Sequence, residues 1–320
     1  MQCSRVWWVA TGLAAVLPGQ SIEEVREQLR NSLRSSSFSA LPATLADVAA
    51  DGQLSLGTLR PDDSGADWTL FALPWRRDLV LGDELPPLRV EASVGYSLAR
   101  FRFDDVWGGE QPGLETGLRT RFESFAADVG AGPVLALPAQ FRLVPQVHVG
   151  AAHIENTAYY AGPGATLTGS LLDGLLFNWD QTNLSYGASG ALEYRGWQGG
   201  RGGWLPTLRY DVRRSEPVVV DDPALDVSTT EQWATVRLVG TGLVDAAAPD
   251  GWLWQLDVGY RRLLGDSAEP LGFEDFVEFG AGLRWPAPFG FAVLDALSLH
   301  GAVQVGEDVR GWSFGVVVSF

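Results

Sequence analysis

Hydrophobic and polar residues alternate with a period of two along most of the chain after Trp68. The same alternation recurs at residues 89–98, 141–150, 184–195, 252–261, 277–285 and 297–305. Because successive side chains of a strand point to opposite faces, this period predicts β-strands with one apolar face. The pattern is clearest at the end of the chain, where the alternate positions are Trp312, Phe314, Val316, Val318 and Phe320.

Two all-β folds present one apolar face, a soluble sandwich and a transmembrane barrel. The alternating segments run for about 12 to 18 residues, longer than typical soluble strands and long enough to cross a bilayer while tilted. Aromatic residues near the predicted strand ends resemble the girdles found at membrane interfaces. These residues are Trp68, Trp197, Trp204, Trp252, Trp285 and Trp312. We therefore predict an all-β, antiparallel transmembrane β-barrel.

The spacing of turns predicts the number and direction of the strands. Short connections near residues 82–87, 137–140, 198–203, 245–250 and 286–290 alternate with longer acidic ones. Bacterial barrels place short turns in the periplasm and long loops outside. Counting back from the end gives eleven strands from Trp68, and residues 53–59 supply the additional upward crossing. We expect about 12 strands, with the barrel spanning residues 51–320.

The N-terminal region divides into two predicted segments. Residues 1–20 carry one positive charge, an apolar run and then Pro18-Gly19, the pattern of a signal peptide. Residues 21–50 are predicted to be helical, because Ser21 and Glu24 form a capping box before an apolar stripe. This segment is expected to lie in the periplasm as a cap or inside the barrel pore.

Composition excludes several classes of protein. The chain has 320 residues and a formal net charge of −16, which argues against nucleic acid as a partner. No apolar run approaches the length of a transmembrane helix. Cys3, the single cysteine, falls within the predicted signal peptide, and no metal-ligand spacing is present. We expect no metal and no cofactor.

The C-terminal alternation ending in Phe320 resembles the signal by which the barrel-assembly machinery recognises bacterial outer-membrane proteins. With twelve strands and an N-terminal helix, the chain also resembles the solitary autotransporter-like translocator barrels, for which residues 122–133 and 143–150 are similar. This resemblance implies a monomer in the bacterial outer membrane, in contact with lipid and lipopolysaccharide. Only about 30 residues separate the predicted signal peptide from the first strand, so we expect no passenger domain.

Charged residues on the polar faces of the strands are predicted to line the lumen. They are Arg89, Glu91, Arg142, His148, Glu193, Arg195, Arg209, Asp211, Arg237, Asp257, Arg261, Glu278 and Arg284. Paired arginines and carboxylates suit structural ladders or a selective pore. The predicted function is a translocator-like or structural barrel without catalytic residues. A small-solute channel and a lipid- or peptide-hydrolysing enzyme remain as alternatives.

The longest predicted loop, residues 159–181, is unusually apolar for an exposed segment. Its apolar residues are Leu171, Leu172, Leu175, Leu176, Phe177 and Trp179. We expect it to fold back over the mouth of the barrel or to contact another protein.

Overall fold

Twelve antiparallel strands form the body of the protein in the computed structural model. The structure describes residues 21–34, 56–61, 67–106, 114–199, 202–245, 251–265, 271, 273–286 and 296–319. The strands are β1 (Leu56–Pro61), β2 (Asp67–Leu79), β3 (Leu88–Phe103), β4 (Gly117–Pro133), β5 (Phe141–Ala161), β6 (Trp179–Tyr194), β7 (Gly202–Val220), β8 (Thr229–Leu243), β9 (Leu253–Gly265), β10 (Asp275–Pro286), β11 (Ala296–Val305) and β12 (Val309–Ser319). Two helices accompany them, α1 (Ile22–Arg34) and α2 (Ala165–Leu172).

Each strand pairs with the next along the chain, and β1 pairs with β12, with Thr58 opposite Trp312. The sheet is therefore a closed barrel, which leaves no strand edge unpaired. The predicted fold and strand count are confirmed. No helix in the described part of the chain is both long enough and apolar enough to span a membrane.

The connections alternate in the predicted way between the two ends of the barrel. Residues 80–87, 134–140, 195–201, 244–252 and 287–295 join strands at one end, here named the short-turn end. Residues 62–66, 104–116, 162–178, 221–228, 266–274 and 306–308 join them at the other end, which has the two longest connections and is here named the long-loop end. The rule that bacterial barrels have their long loops outside the cell leads us to expect that the long-loop end faces outward.

Aromatic side chains surround the outer surface at the short-turn end. The rings of Trp252 and Trp285 stack with their centroids 5.3 Å apart, and Trp197 and Trp204 are exposed nearby. The prediction was wrong for Trp68, which is only 2% exposed and packs inside the barrel. On β2 it shares its face with Leu70 and Ala72, both of which are buried, so alternation turns it inward.

Helix α1 lies at the long-loop end of the barrel, not within the pore. Its capping box is present, since Ser21 N–H donates to Glu24 and Glu24 N–H donates to Ser21 Oγ. Val25 and Leu29 are buried, but Ile22 is exposed, so the apolar stripe is only one residue wide. The helix packs against α2 and the turn at residues 223–225. Most of the surface of this helix is polar. A shallow contact at the rim is therefore more favourable for it than insertion into a lumen that is already filled by side chains.

Three expectations concern residues outside the described part of the chain. These are the signal peptide at residues 1–20, the helical structure of residues 35–50 and the terminal position of Phe320. In β12, Trp312 and Phe314 are exposed on the outer face, while Val316 and Val318 pair with Leu299 and Leu297 of β11.

Candidate functional site: the barrel interior and its mouth

The inward-facing residues change in character along the barrel. On β3, they begin with Arg89 and Glu91 at the short-turn end and finish with Ala99, Phe101 and Phe103 at the long-loop end. The interior therefore has a charged zone near the short turns and an apolar zone near the long loops. Sequence alternation predicted the first but not the second.

Three ion pairs in the charged zone join strands that are not neighbours. Arg89 of β3 contacts Glu193 of β6, with 2.5 Å between Nη1 and Oε1. Arg209 of β7 contacts Glu91 of β3 at 3.0 Å, and Arg213 of β7 contacts Asp128 of β4 at 3.2 Å. Because the barrel is closed, strands three or four positions apart can meet only through its interior. These three ion pairs therefore cross the lumen, and we call them the crossbars.

Contacts with carboxylates on the same strand or on the neighbouring strand compensate the remaining charge of Arg209 and Arg89. Arg209 also forms a forked contact with Asp211 at 2.9 Å, and Arg89 donates to Asp78 at 2.7 Å. Buried charges are tolerated when they are paired in this way, and arginine forks hold carboxylates in a fixed geometry. The charged zone is therefore a network of buried, paired arginines and carboxylates.

His148 occupies the centre of the charged zone. Its Nδ1 lies 3.2 Å from Asp128 Oδ1 and its Nε2 lies 2.9 Å from Ser189 Oγ. The three residues stand on β4, β5 and β6, and all are more than 90% buried. This is the order of groups found in serine hydrolases. Arg209 also donates to Ser189 Oγ at 3.3 Å, which withdraws electron density from the hydroxyl oxygen.

A second polar cluster lies on the opposite wall. Asp257 of β9 contacts Arg237 of β8 at 3.3 Å and His300 of β11 at 2.5 Å. On the neighbouring strands, Gln304 donates both to Glu278 at 2.8 Å and to Ser313 at 3.1 Å. The ion pairs and hydrogen bonds of this wall thus join nearby strands, not strands on opposite sides of the lumen.

The other predicted lumen residues are not brought into the crossbars. Arg195 contacts Glu193 at 3.8 Å, and Arg142 lies opposite Glu193 in the strand register. Arg261 lies over the ring of Phe276, at 5.9 Å. Arg284 is half-buried on β10, and its Nε has no hydrogen-bond partner in the described structure.

Sequence reasoning missed four members of the network, namely Asp78, Asp128, Ser189 and Arg213. Asp128 and Arg213 alternate in phase with buried neighbours, so extending the period-two rule along β4 and β7 would have found them. Ser189 has the predicted inward parity, but only the register of β5 and β6 brings it to His148. Asp78 lies at the end of β2, where it faces Arg89 directly.

The apolar zone corrects the expectation of a polar lumen along the whole barrel. Its core includes Phe122, Ile154, Trp179, Trp233 and Leu263, all buried inside the wall. Phe122 packs edge-on against both Phe101 and Trp179, with centroids 5.7 and 5.9 Å apart. Large side chains contributed by several strands thus fill the wider, outer half of the barrel.

The segment at residues 162–178 folds back onto the rim of the barrel mouth beside β4 and β5. Its apolar side chains are buried against the rim residues Leu118 and Ala158. The buried residues of this segment are Leu171, Leu172, Leu175, Leu176 and Phe177. Tyr160 Oη and Asn178 Nδ2 both donate to Asp173 Oδ1 and close the segment on itself. We call residues 162–178 the lid.

Helix α1 is attached to the lid by Arg26. This guanidinium donates to the carbonyl oxygens of Ser170, Leu171 and Asp173, at the C-terminal end of α2. These carbonyls have no partner within a helix, and a cation placed beside them is favourable. Nearby, Arg30 contacts Glu27 and Asp222. Hydrogen bonding to Glu27, and then to Asp222, raises the pKa of the Arg30 guanidinium, although partial burial opposes the shift.

Comparison with known proteins identifies the family of this barrel. The model of the solitary outer membrane autotransporter β-barrel domain matches residues 63–320. The chain belongs to this family. The solitary barrel is accordingly an autotransporter-type β-barrel of the bacterial outer membrane, as the resemblance at its C-terminus implied. No curated protein matches it in sequence.

Solved structures with the same fold include other autotransporter barrels. The transport unit of the autotransporter AIDA-I from Escherichia coli is 10% identical, with a TM-score of 0.50, and the match covers 90% of this chain and 99% of that one. The translocator domain of the autotransporter NalP from Neisseria meningitidis is 11% identical, with a TM-score of 0.48, and the match covers 82% of this chain and 83% of that one. At this identity the likeness of the solitary barrel to AIDA-I concerns the fold.

The described residues contain no group of three or more histidine, cysteine or acidic side chains that could hold a metal ion.

Proposed function

We propose that the solitary barrel is a sealed, translocator-type or structural barrel that does not conduct solutes steadily. The lid carries this proposal, because its leucines are buried within the mouth instead of facing water. Leu172 and Leu175 are 1% and 0% exposed. Burying such side chains stabilises the closed lid by about 1.5–3 kcal/mol each.

The crossbars support the same proposal from the other end of the lumen. An open pore keeps its charges solvated along a water-filled path. Here Arg89 and Glu193 are 4% and 3% exposed and contact each other across the interior. A solute entering from the short-turn end would have to displace these paired charges. The alternative of a small-solute channel therefore predicts a different behaviour in a bilayer.

Recording single-channel currents from the purified full chain in planar bilayers tests the proposal. We expect no steady conductance from the wild type. A variant carrying Leu172→Asp and Leu175→Asp should show opening events, because buried carboxylates would displace the lid. The matched control is Leu167→Asp on the exposed side of α2, which should behave as the wild type. Steady wild-type currents would overturn the sealed barrel, and a silent double variant would overturn the lid as the seal.

The proposed function includes no hydrolysis. Although Ser189, His148 and Asp128 are arranged like a hydrolase triad, Arg209 already donates to the serine oxygen and Arg213 contacts the aspartate. We assign them to the network of paired charges. A fluorophosphonate probe should leave Ser189 unlabelled. Labelling that disappears in Ser189→Ala and persists in Ser185→Ala, a buried serine two turns of the pleat away on the same strand, would contradict this assignment.

The two ends of the chain would serve the export and assembly of the barrel. Residues 1–20 would direct export, and the barrel-assembly machinery would recognise the C-terminal signal formed by Trp312, Phe314, Val316, Val318 and Phe320. The folded barrel is expected to be a monomer in lipid. Deleting Phe320 should lower the amount of heat-modifiable barrel in the outer membrane. An unchanged amount in that variant would count against recognition through the C-terminus.

A further inference from the structure

Four arginines form a square on the outer surface of the barrel near the long-loop end. On neighbouring strands, Arg100 of β3 lies directly opposite Arg121 of β4, and Arg102 lies directly opposite Arg119. All four are exposed, and they alternate with buried residues such as Ala99, so they point away from the lumen. We call these four residues the arginine square.

Among the described residues, only two of the four arginines of the square have an acidic partner. Like charges directly opposite on neighbouring strands repel, because their Cβ atoms are only about 4.5–5.5 Å apart. Asp104 contacts Arg102 at 3.3 Å and Glu123 contacts Arg121 at 3.6 Å. Arg100 and Arg119 have no ion-pair or hydrogen-bond partner among the described residues. Within the described part of the chain, two of the four positive charges of the square thus have no acidic partner, although the formal net charge is −16.

The acidic residue that lies opposite Arg100 on the neighbouring strand forms an ion pair with a different arginine. Asp67 of β2 lies opposite Arg100 in the register, but its carboxylate contacts Arg60 at 2.9 Å. Other exposed arginines of the long-loop end do have partners, since Arg214 contacts Glu216 at 2.8 Å and Arg262 contacts Glu274 at 3.8 Å. The surplus of positive charge is therefore local to β3 and β4.

The position of the square along the strands matches the level of lipid headgroups. On the outer face of β3, the residues from Val90 to Leu98 are apolar or aromatic, and Arg100 follows directly. At about 3.4 Å per residue, this band is about 27 Å long, and a strand tilt of about 40° makes it span about 21 Å of depth, comparable with the apolar height of about 25 Å in bacterial barrels. On β4 the exposed Phe125 continues the band opposite Tyr96. The square therefore begins where the hydrocarbon region ends.

We propose that the arginine square binds the phosphates of lipopolysaccharide in the outer leaflet. Guanidinium groups match phosphate oxygens with two parallel hydrogen bonds, and a doubly charged phosphate group offsets Arg100 and Arg119, which have no ion-pair partner among the described residues. The acyl chains of the same lipid would lie along the apolar band below. The leaflet follows from the orientation in the proposed function, with the long loops outside.

Lipid binding to the purified full chain in detergent tests the site. Titration with lipid A should give saturable binding to the wild type. Arg100→Gln with Arg119→Gln should weaken it at least tenfold. The matched control, Arg214→Gln with Arg262→Gln, removes the same number of exposed arginines and should change affinity less than threefold. Heat-modifiable migration on gels confirms that each variant is folded.

Three further ligands separate the sources of phosphate. Lipid A stripped of its phosphates should bind at least tenfold more weakly than lipid A. Phosphatidylglycerol should bind more weakly than lipid A, and inorganic phosphate should not compete at equal concentration. Equal affinity of both variants and the wild type, equal binding of the stripped lipid, or full competition by inorganic phosphate would each overturn the proposal.

The orientation is tested separately from the site. Leu167→Cys places a thiol on the exposed side of the lid, and a membrane-impermeant maleimide should label it on intact cells. Labelling only after the outer membrane is disrupted would overturn the assignment to the outer leaflet. Steady conductance in the bilayer experiment would instead overturn the sealed barrel and leave lipid A binding unaffected.

Discussion

Arg89 of β3 and Glu193 of β6 form a buried ion pair across the interior of the barrel, with 2.5 Å between Nη1 and Oε1. Two strands, β4 and β5, separate them in the sheet. The pair therefore braces opposite parts of the wall, and Asp78 holds Arg89 from the other side.

Removing one partner of this pair should destabilise the barrel strongly. Glu193→Gln leaves the Arg89 guanidinium buried with half of its compensation, and such losses cost about 3–5 kcal/mol. Urea unfolding of the barrel in lipid vesicles measures the change. The control Glu155→Gln alters an exposed carboxylate on the outer face of β5 and should stay within about 0.5 kcal/mol of the wild type. Equal stability of the two variants would show that the crossbar contributes little.

Gly130 should be sensitive to the smallest possible substitution. It lies directly opposite His148 on β5, and a Cβ atom at this position would overlap the imidazole ring. Gly130→Ala should cost about 1–3 kcal/mol through overpacking and should move His148 away from Ser189. Gly190→Ala is the control, because a Cβ atom there meets no atom within 4 Å. Urea unfolding measures the free energy of unfolding of both variants. Similar losses of stability in the two would contradict this packing.

Arg26→Ala should release α1 from the lid. The substitution removes three hydrogen bonds to the carbonyls at the end of α2 and leaves Val25, Leu29 and the contact of Arg30 with Asp222 to hold the helix. Hydrogen bonds from a charged group contribute about 1.5–3 kcal/mol each. Amide hydrogen exchange of residues 22–34 should accelerate at least tenfold, whereas Gln28→Ala on the exposed face should not change it. Unchanged exchange in Arg26→Ala would show that apolar packing and the contact of Arg30 with Asp222 fix α1 without Arg26.

The tryptophan stack at the short-turn end should couple β9 to β10. Trp252 and Trp285 lie with their rings 11° from parallel. Alanine at both positions, compared with each single substitution, should reveal a coupling of about 0.5–1.5 kcal/mol. A double-mutant cycle by urea unfolding isolates this term from the loss of interfacial area. A coupling near zero would show that the two rings act independently at the membrane interface.

Alternation along the strands was enough to predict much of the interior. Arg209, Asp211 and Asp257 could be assigned to the inner face because each follows its neighbours with a period of two. Their partners could not be assigned, since Arg209 meets Glu91 across 118 positions of sequence. The sequence also placed the lid correctly as a candidate cover, because leucines in a long loop must find an apolar surface.

The sequence by itself determined the barrel: the period of two, the length of the strands and the alternation of short turns with long loops specify a closed antiparallel sheet and its direction. Only the tertiary structure decided which charges meet, where the lumen turns apolar and where α1 docks. The physical reason is that strand polarity is encoded locally, residue by residue. Contacts across the lumen depend instead on the stagger of all twelve strands, which no single segment contains. The arginine square shows both levels, since alternation turns each arginine outward and only the register of β3 and β4 brings the four together.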